Sequence, residues 1–184
     1  MLQKSSRIYY LMGASGAGKD SLIQYLRENL DNRKSFHFAQ RYVTRTKPGR
    51  DDIAVNQLRF DQLLDSGHLV MSWQRHGIWY GIGKEIEQSL EKGESVIING
   101  SRDHYLKAKA SYPDLTGILI KAESQTLKQR LHRRRRESDT EIIARMAEAD
   151  KFPLLETENS EIIIINNNDS LRLAGNRLLA ILTN

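Results

Sequence analysis

Short apolar runs alternate with helical patterns along the 184 residues of the chain. The runs predict buried strands at residues 8–12, 36–43, 69–73, 96–98, 118–120 and 162–165. Apolar residues at helical spacing predict helices directly after residue 20, over 84–91 and 124–133, and from Leu171 to Leu182. One more helix is predicted to begin at a capping box formed by Ser138 and Glu141.

The alternation of strands and helices predicts an α/β fold, with a central parallel sheet covered by helices on both faces. Such sheets bind ligands beyond the carboxyl ends of their strands. The loops after Met12, Val43, Ile98, Ile120 and Ile165 are therefore the expected places for a functional site. The chain has no internal repeat and no linker rich in proline or glycine, so we expect one domain over residues 1–184.

The first of these loops has the pattern of a phosphate-binding loop. It follows a predicted strand, opens a predicted helix and matches the spacing G-x-x-x-x-G-K. Glycines let backbone N–H groups turn inward around a phosphate, and the helix adds its positive N-terminus. A glycine-rich turn without a ligand is the alternative, but lysine, spacing and context together favour ATP. The expected ATP-binding residues are Gly13, Ala14, Ser15, Gly16, Ala17, Gly18, Lys19, Asp20 and Ser21.

Lys19 is the expected catalytic residue of this loop, because its ammonium group can reach the β- and γ-phosphates. The next position departs from the general pattern, since a Ser or Thr that ligates magnesium usually stands where this chain has Asp20. A carboxylate is a good ligand for Mg²⁺, so Asp20 is a candidate magnesium ligand, directly or through water. The alternative is a carboxylate that only stabilises the helix N-terminus.

Composition and charge narrow the choice of function. The chain has no cysteine, which excludes disulfides, thiolate zinc sites and cysteine nucleophiles. No apolar segment has the length of a membrane span or of an export signal, so we expect a cytoplasmic protein and no membrane partner. The formal net charge is +5, and the arginines gather at 41–50 and 130–136. Two such patches favour an anionic small molecule over nucleic acid.

Further segments follow the phosphate loop in the order found in guanylate kinases. They are residues 41–45, Tyr80 with Gly81, the arginines of 133–136 with Arg145, and residues 166–169. The chain therefore resembles the guanylate kinase family over nearly its whole length. The resemblance implies an acceptor-binding region, here about 36–82, and an arginine-bearing lid, here about 132–140. It also implies that residues 166–169 lie beside the adenine, although a plain strand–helix turn is equally consistent with them.

The acceptor side departs from the guanylate kinases. In that family a glutamate that reads the guanine edge stands where this chain has Ser72, just before Trp73. The family's Asp-x-Asp after the central strand becomes Asn99, Gly100 and Ser101. A site built to hydrogen-bond a base loses most of its discrimination without such groups. These departures weaken GMP as the acceptor.

The remaining set resembles a narrower family, the ribose 1,5-bisphosphate phosphokinases. The discriminating segments are 18–20, Gly-Lys-Asp, and 99–102, Asn-Gly-Ser-Arg. The resemblance implies that ATP phosphorylates ribose 1,5-bisphosphate to 5-phosphoribosyl 1-diphosphate (PRPP), with release of ADP, in phosphonate breakdown. The attacking oxygen of the 1-phosphate is already ionised near neutral pH, so the reaction depends on positioning and charge stabilisation rather than on a strong base.

Arginines, hydroxyls and amides suit such a sugar phosphate, because they offer single and bidentate hydrogen bonds to its phosphates. The expected substrate-binding residues are Arg41, Arg45, Tyr80, Asn99, Ser101 and Arg102. The resemblance adds Arg134, Arg136 and Arg145 as catalytic lid residues that stabilise the transferring phosphoryl group. A solvated basic helix end is the alternative for each of these arginines.

Two other functions stay open at this point. One is a nucleoside monophosphate kinase acting on GMP. The other is a non-catalytic guanylate-kinase-like or nucleic-acid-binding module. A non-catalytic scaffold would not need an intact Lys19, so this lysine argues against it. The pattern indicates no oligomeric state.

Overall fold

The computed structural model describes residues 6–30, 35–134 and 161–183, and only the backbone of Arg134. The strands of this part are β1 Ile8–Gly13, β2 Phe36–Phe38, β3 Arg41–Val43, β4 Asp52–Ala54, β5 Leu69–Arg75, β6 Ile78–Gly83, β7 Ser95–Asn99, β8 Thr116–Lys121 and β9 Ile163–Asn166. The helices are α1 Lys19–Asn29, α2 Gln57–Asp65, α3 Glu85–Glu91, α4 Tyr105–Ser111, α5 Ser124–Arg134 and α6 Leu171–Thr183.

The predicted α/β fold with a central parallel sheet is confirmed. Five strands follow the order β2–β7–β1–β8–β9, and β2 with β7 and β8 with β9 pair in parallel. All six residues of β1 are buried, and Ile97, Ile98 and Ile118 are almost fully buried as well. Continuous apolar runs of this kind are typical of strands whose two faces are both covered.

A second sheet of four strands was not predicted. Its order is β4–β3–β6–β5, and it is mixed, because β3 pairs with β4 in parallel while β6 pairs with β3 and β5 in antiparallel. The prediction of one strand over 36–43 is therefore wrong. Ala39 N still donates to Ile97 O at 3.0 Å, and after the exposed Gln40 the chain pairs with β4 and β6 instead. An unbroken apolar pattern cannot reveal that a chain changes sheets.

Strands β5 and β6 form a hairpin around His76 and Gly77. Both residues have positive φ, 49° and 73°, as the tight two-residue turns of hairpins require. The predicted strand at 69–73 continues to Arg75, and β6 was missed because the sequence IWYGIG does not alternate between apolar and polar residues. The turn aligns Trp73 with Tyr80 across the hairpin.

The chain divides into two compact units. We call one the mixed-sheet unit; its described residues are 6–9, 35–98 and 106–115. Its apolar cluster consists of Phe60, Leu63 and Leu69, packed against Tyr42, Val55 and Trp79. We call the other the loop unit; its described residues are 10–30, 99–105, 116–134 and 161–183. There α1 packs on α6, with the Tyr25 ring so close to Gly175 that a side chain at 175 would collide with it.

The predicted helices at 84–91, 124–133 and 171–182 appear as α3, α5 and α6. The capping box of Ser138 and Glu141 lies outside the described residues. Helices α2 and α4 were not predicted. For α2 a usable signal existed, since the side chain of Asn56 accepts a hydrogen bond from Arg59 N at 2.8 Å as an N-cap. Within the described ranges, no helix is long and apolar enough to cross a bilayer.

Candidate active site

The predicted phosphate loop joins β1 to α1 in the loop unit. Gly16 and Gly18 have φ of 85° and 94°, a region that residues with a Cβ rarely adopt. Ala17 N donates to Ala14 O at 3.2 Å, and Leu22 N donates to Gly18 O at 2.9 Å, so α1 begins directly after the loop. The N–H groups of the first helical turn have no intrahelical acceptors. Backbone N–H groups arranged in this way at a helix N-terminus suit an anion such as phosphate.

The Lys19 side chain lies over the loop backbone. Its Nζ donates to Gly13 O at 2.8 Å and to Ala14 O at 3.1 Å. Gly13 has to be glycine because a Cβ there would collide with the carbonyl oxygen of Ile120 on β8. The lysine charge is therefore held beside the N–H groups that would surround a phosphate.

Asp20 is joined to the residue that ends β7. Asn99 Nδ2 donates to Asp20 Oδ1 at 2.6 Å. Asn99 is only 6% exposed, whereas Asp20 is an exposed residue at the start of α1. The predicted magnesium ligand and one predicted substrate-binding residue thus belong to one hydrogen-bonded pair.

Tyr10 of β1, the central strand of the five-stranded sheet, packs against the segment after Asn99 and forms hydrogen bonds with it. Tyr10 is fully buried, and its hydroxyl accepts from Ser101 N at 3.0 Å and lies 3.2 Å from Ser101 O and 3.3 Å from His104 Nδ1. A side chain at Gly100 would collide with the Tyr10 ring. Ser101 and Arg102 are both buried in this arrangement. Tyr10 was not foreseen, because in the sequence it is one aromatic residue within an apolar run.

A cavity of about 290 Å³ lies beside the phosphate loop in the loop unit. It is lined by Gly16, Gly18, Ser21, Arg130, Arg133, Asn167 and Leu171. Asn167 is 2% exposed, and its Nδ2 donates to Ala17 O at 2.7 Å. Its Oδ1 is buried and has no hydrogen-bond partner within the described part of the chain. The loop at 166–169 therefore contributes a polar group to a cavity next to the phosphate site.

Arg130 is a residue of this cavity that the sequence did not single out. Its Nη1 lies 3.4 Å from Ala17 O, and a Cβ on Gly18 would lie 3.6 Å from the same nitrogen. A signal existed, since Arg130 begins the basic patch at 130–136 and precedes Arg133 by three residues on α5. Residues three apart lie on one face of a helix, so Arg130 and Arg133 line the cavity together.

Two predicted substrate-binding arginines share one carboxylate in the mixed-sheet unit. Asp52 has a fully buried side chain, and its Oδ1 accepts from Arg41 Nε at 2.8 Å. Its Oδ2 accepts from Arg45 Nη2 and from Gly49 N. The parallel register of β3 and β4 places Arg41 directly beside Asp52. Asp52 was missed, because nothing in the sequence distinguishes it from the adjacent Asp51 or links it to Arg41 and Arg45.

An aromatic stack supports the same arginine. The rings of Trp73 and Tyr80 are nearly parallel, 7° apart in plane, with centroids at 5.6 Å, and the Arg41 guanidinium carbon lies 5.6 Å from the Tyr80 centroid. Both rings come from the β5–β6 hairpin. Arg41, Arg45 and Tyr80, three of the six predicted substrate-binding residues, thus form one cluster with Trp73 and Asp52.

A neighbouring tyrosine of β3 stays protonated. Burial raises the pKa of Tyr42, and the Glu85 carboxylate raises it further, while Arg59 acts in the opposite direction. Its hydroxyl lies 3.1 Å from His68 Nε2. Tyr42 therefore adds no negative charge near the arginines at neutral pH.

The other predicted site residues fall in the loop unit or outside the described part. Asn99, Ser101 and Arg102 belong to the loop unit. The lid arginines Arg136 and Arg145 lie outside the described residues, and of Arg134 only the backbone is described. Among the residues whose side chains are described, Arg133, which is exposed near the end of α5, lines the cavity.

Comparison with known proteins agrees with the fold and identifies the family. The family model for guanylate kinase matches residues 5–182. The ribose 1,5-bisphosphate phosphokinase PhnN of Thiobacillus denitrificans is 38% identical over 96% of this chain and 93% of its own length. The protein of that name from Psychromonas ingrahamii is 39% identical over 97% of this chain and 90% of its own.

A solved structure supports the fold independently. The guanylate kinase of Anaplasma phagocytophilum superposes with a TM-score of 0.74 over 100% of this chain and 87% of that chain, at 20% identity. The relatives named above are kinases, which makes this chain a phosphotransferase. The chain belongs to the guanylate kinase family and, within it, groups with the ribose 1,5-bisphosphate phosphokinases.

Proposed function

We propose that this protein transfers the γ-phosphoryl group of ATP to the 1-phosphate of ribose 1,5-bisphosphate, giving PRPP and ADP. The main support is the 38–39% identity, over nearly the whole chain, to relatives named for this substrate. The reaction serves phosphonate degradation, and we assign it to the cytoplasm, where ATP is available. The described residues supply groups for both substrates.

The nucleotide belongs to the loop unit. Backbone N–H groups of residues 13–21 bind the phosphates of ATP, and Lys19 exchanges the loop carbonyls for phosphate oxygens. The base occupies the cavity beside the loop. There the buried Oδ1 of Asn167 accepts a hydrogen bond from an amino group, and the Arg130 guanidinium offers a flat surface for stacking.

The residues present fit a magnesium ion bound together with ATP. Mg²⁺ keeps several waters and takes one or two carboxylates plus substrate phosphates. Asp20 is one such carboxylate, at the start of α1. No group of three His, Asp or Glu that could hold a metal without phosphates occurs in the described ranges. Asp20 would hold the Mg²⁺ ion, and the ion would neutralise negative charge on the β- and γ-phosphates.

We assign the acceptor to the cluster that contains Arg41, Arg45 and Tyr80. Ribose 1,5-bisphosphate has two phosphate groups, which carry about four negative charges near neutral pH. We assign Arg41, Arg45 and Tyr80 to phosphate binding, since guanidinium groups bind phosphate in bidentate fashion. Asn99, Ser101 and Arg102 are assigned to the same substrate from the loop unit. Ser72 and Asn99 offer no carboxylate to pair with a guanine edge.

In the reaction, an oxygen of the 1-phosphate attacks the γ-phosphorus of ATP. A new P–O bond forms, the bond from the γ-phosphorus to the β,γ-bridging oxygen breaks, and ADP leaves with that electron pair. No proton has to be removed from the ionised attacking oxygen. Lys19 stabilises the charge that spreads over the transferring group. We assign Arg134, Arg136 and Arg145 to the same task, within a lid at about 132–140, and an acceptor-binding region to about 36–82 of a single kinase domain.

A panel of acceptors tests this function. ADP release is measured with ATP, Mg²⁺ and ribose 1,5-bisphosphate, GMP, dGMP or AMP, and ³¹P NMR identifies the diphosphate product. We expect kcat/KM for the sugar to exceed that for each nucleotide by at least about 100-fold, because the site lacks guanine-reading carboxylates.

Lys19→Ala serves as the negative control, which gives the background rate of ADP release. Its kcat should fall about 10²–10³-fold, in the range for loss of one charge-stabilising group. Lys92→Ala, which removes an exposed lysine at the end of α3, should leave the rate unchanged. Faster turnover of GMP than of the sugar would establish a nucleotide kinase instead. ADP release equal to that of Lys19→Ala with every acceptor would reject the proposal.

A further inference from the structure

Positions 20 and 99 both differ from the wider patterns to which this chain is related. A hydroxyl usually follows the lysine of the phosphate loop, and this chain has Asp20. Guanylate kinases have an aspartate where this chain has Asn99. The structure joins these two positions by one hydrogen bond, from Asn99 Nδ2 to Asp20 Oδ1 at 2.6 Å. The two departures are 79 residues apart in sequence, but they bring their side chains into direct contact. We therefore treat them as one coupled change.

Electrostatics explains why the two changes belong together. An amide N–H that donates to a carboxylate makes a charge-assisted hydrogen bond. An aspartate at 99 would instead bring a second negative charge to the same distance, and the two carboxylates would repel each other. The wider pattern avoids this conflict with a neutral hydroxyl at position 20. This chain avoids it with a neutral amide at position 99.

The surroundings of the two side chains are unequal. Asn99 is 6% exposed and ends a strand whose next residue is anchored by the hydrogen bond from Gly100 N to Leu11 O at 2.8 Å. Asp20 is exposed at the first turn of α1. The buried amide is the fixed member of the pair, and the carboxylate is the member whose orientation is being set.

We infer that Asn99 is a positioning residue that holds the Asp20 carboxylate in the orientation needed to ligate magnesium with the nucleotide. Positions 20 and 99 then form a pair in which one side chain is an acid and the other is a neutral hydrogen-bond donor. The inference rests on the proposed use of ATP with Mg²⁺. It gives Asn99 a task apart from the acceptor contact assigned to it above. Groups that orient a metal ligand typically change metal affinity by about 10–100-fold when they are removed.

Calorimetry of ADP binding, with Mg²⁺ and separately with EDTA, tests the positioning role. Asn99→Leu keeps the branched shape and the number of side-chain heavy atoms but cannot donate, so it should weaken ADP binding about 10–100-fold with Mg²⁺ and less than about 2-fold in EDTA. The control is Gln57→Leu, which removes an amide–carboxylate hydrogen bond of the same kind, to Asp61 on α2, and should change neither value. An equal loss in both buffers, or no loss in either, overturns the positioning role.

The pairing is tested by melting temperature without metal, because Asn99→Asp is isosteric and avoids a packing defect. We expect Asn99→Asp to melt about 2–4 °C below the wild type at pH 8, as two carboxylates then face each other. Adding Asp20→Asn should restore the melting temperature, since the amide at 20 then donates to the acid at 99. An Asn99→Asp protein as stable as the wild type, or one that Asp20→Asn does not rescue, contradicts the pairing.

Neither measurement contains the sugar acceptor. If ribose 1,5-bisphosphate fails as a substrate while Asn99→Leu selectively loses the Mg²⁺ response, the pairing stands and only the acceptor assignment falls. If wild-type ADP binding is the same with Mg²⁺ and with EDTA, the pairing loses its metal role irrespective of the acceptor.

Discussion

Asp52 gives two flexible arginines a fixed orientation before any substrate is present. A free arginine side chain loses up to about 2 kcal/mol of conformational entropy when it is held in one rotamer. Here Arg41 is 14% and Arg45 30% exposed, and Asp52 already restrains both through its two carboxylate oxygens. A phosphate that binds to them therefore meets groups whose ordering cost has been met during folding.

Asp52→Asn should weaken acceptor binding. We expect KM for ribose 1,5-bisphosphate to rise about 10-fold or more while KM for ATP stays within about 2-fold, because the arginines lose their anchor and the phosphate loop does not. The free energy of unfolding should fall by about 1–3 kcal/mol, less than for a fully buried pair, since both arginines reach solvent. Steady-state kinetics and urea denaturation measure the two effects.

Asp61→Asn is the matched control for this substitution, because Asp61 is exposed on α2 and contacts only Gln57 among the hydrogen bonds described for it. It should change neither KM. A folded Asp52→Asn protein with an unchanged KM for the sugar would show that the arginine cluster does not bind the acceptor.

The β5–β6 hairpin is the element that aligns the aromatic stack. Its register pairs Trp73 with Tyr80, and its turn consists of His76 and Gly77, both with positive φ. A register slip of one residue would turn every side chain of a strand to the opposite face of the sheet. The turn geometry therefore determines whether Tyr80 lies next to Arg41.

Gly77→Ala should lower the free energy of unfolding by about 1–2 kcal/mol, the usual cost of a left-handed conformation for a residue with a Cβ. The effect comes from the backbone alone, since a Cβ at 77 meets no atom within 4 Å. Gly77→Asn is the internal control and should lose less than half as much, because Asn tolerates this region. Urea denaturation of the three proteins compares them. Equal losses for Ala and Asn would mean that the turn conformation is not the cause.

At the scale of the molecule, the net charge of +5 suits a substrate with about four negative charges. Long-range attraction of this kind acts on the encounter rate and is screened by salt. We expect kcat/KM for ribose 1,5-bisphosphate to fall about 3–10-fold between 50 and 300 mM KCl, with kcat nearly constant. Initial rates at fixed pH measure it, and sorbitol at matched osmolarity is the control. A flat kcat/KM would assign the positive charge to some other role.

The predictability of this molecule differs between its two units. The phosphate loop and α1 of the loop unit, and β1 before them, were all predicted, because they form one motif that is contiguous in sequence. In the mixed-sheet unit, β6 and the break between β2 and β3 were not predicted, since sheet pairing depends on residues far apart in sequence. The site follows the same rule. Lys19 is visible in a motif, whereas Asp52 and Tyr10 act through contacts that exist only in the folded chain.

The Tyr10 ring has a consequence for how such a site changes its substrate during evolution or by engineering. Because this ring fills the space beside residue 100, only glycine is accommodated there. The segment 99–102 therefore cannot be replaced by one with a larger residue at position 100. A graft that aims at a new acceptor must either keep Gly100 or alter β1 in the same step. Tyr10 thus restricts the substitutions open to the proposed acceptor-binding segment 99–102, although we assign Tyr10 no contact with a substrate.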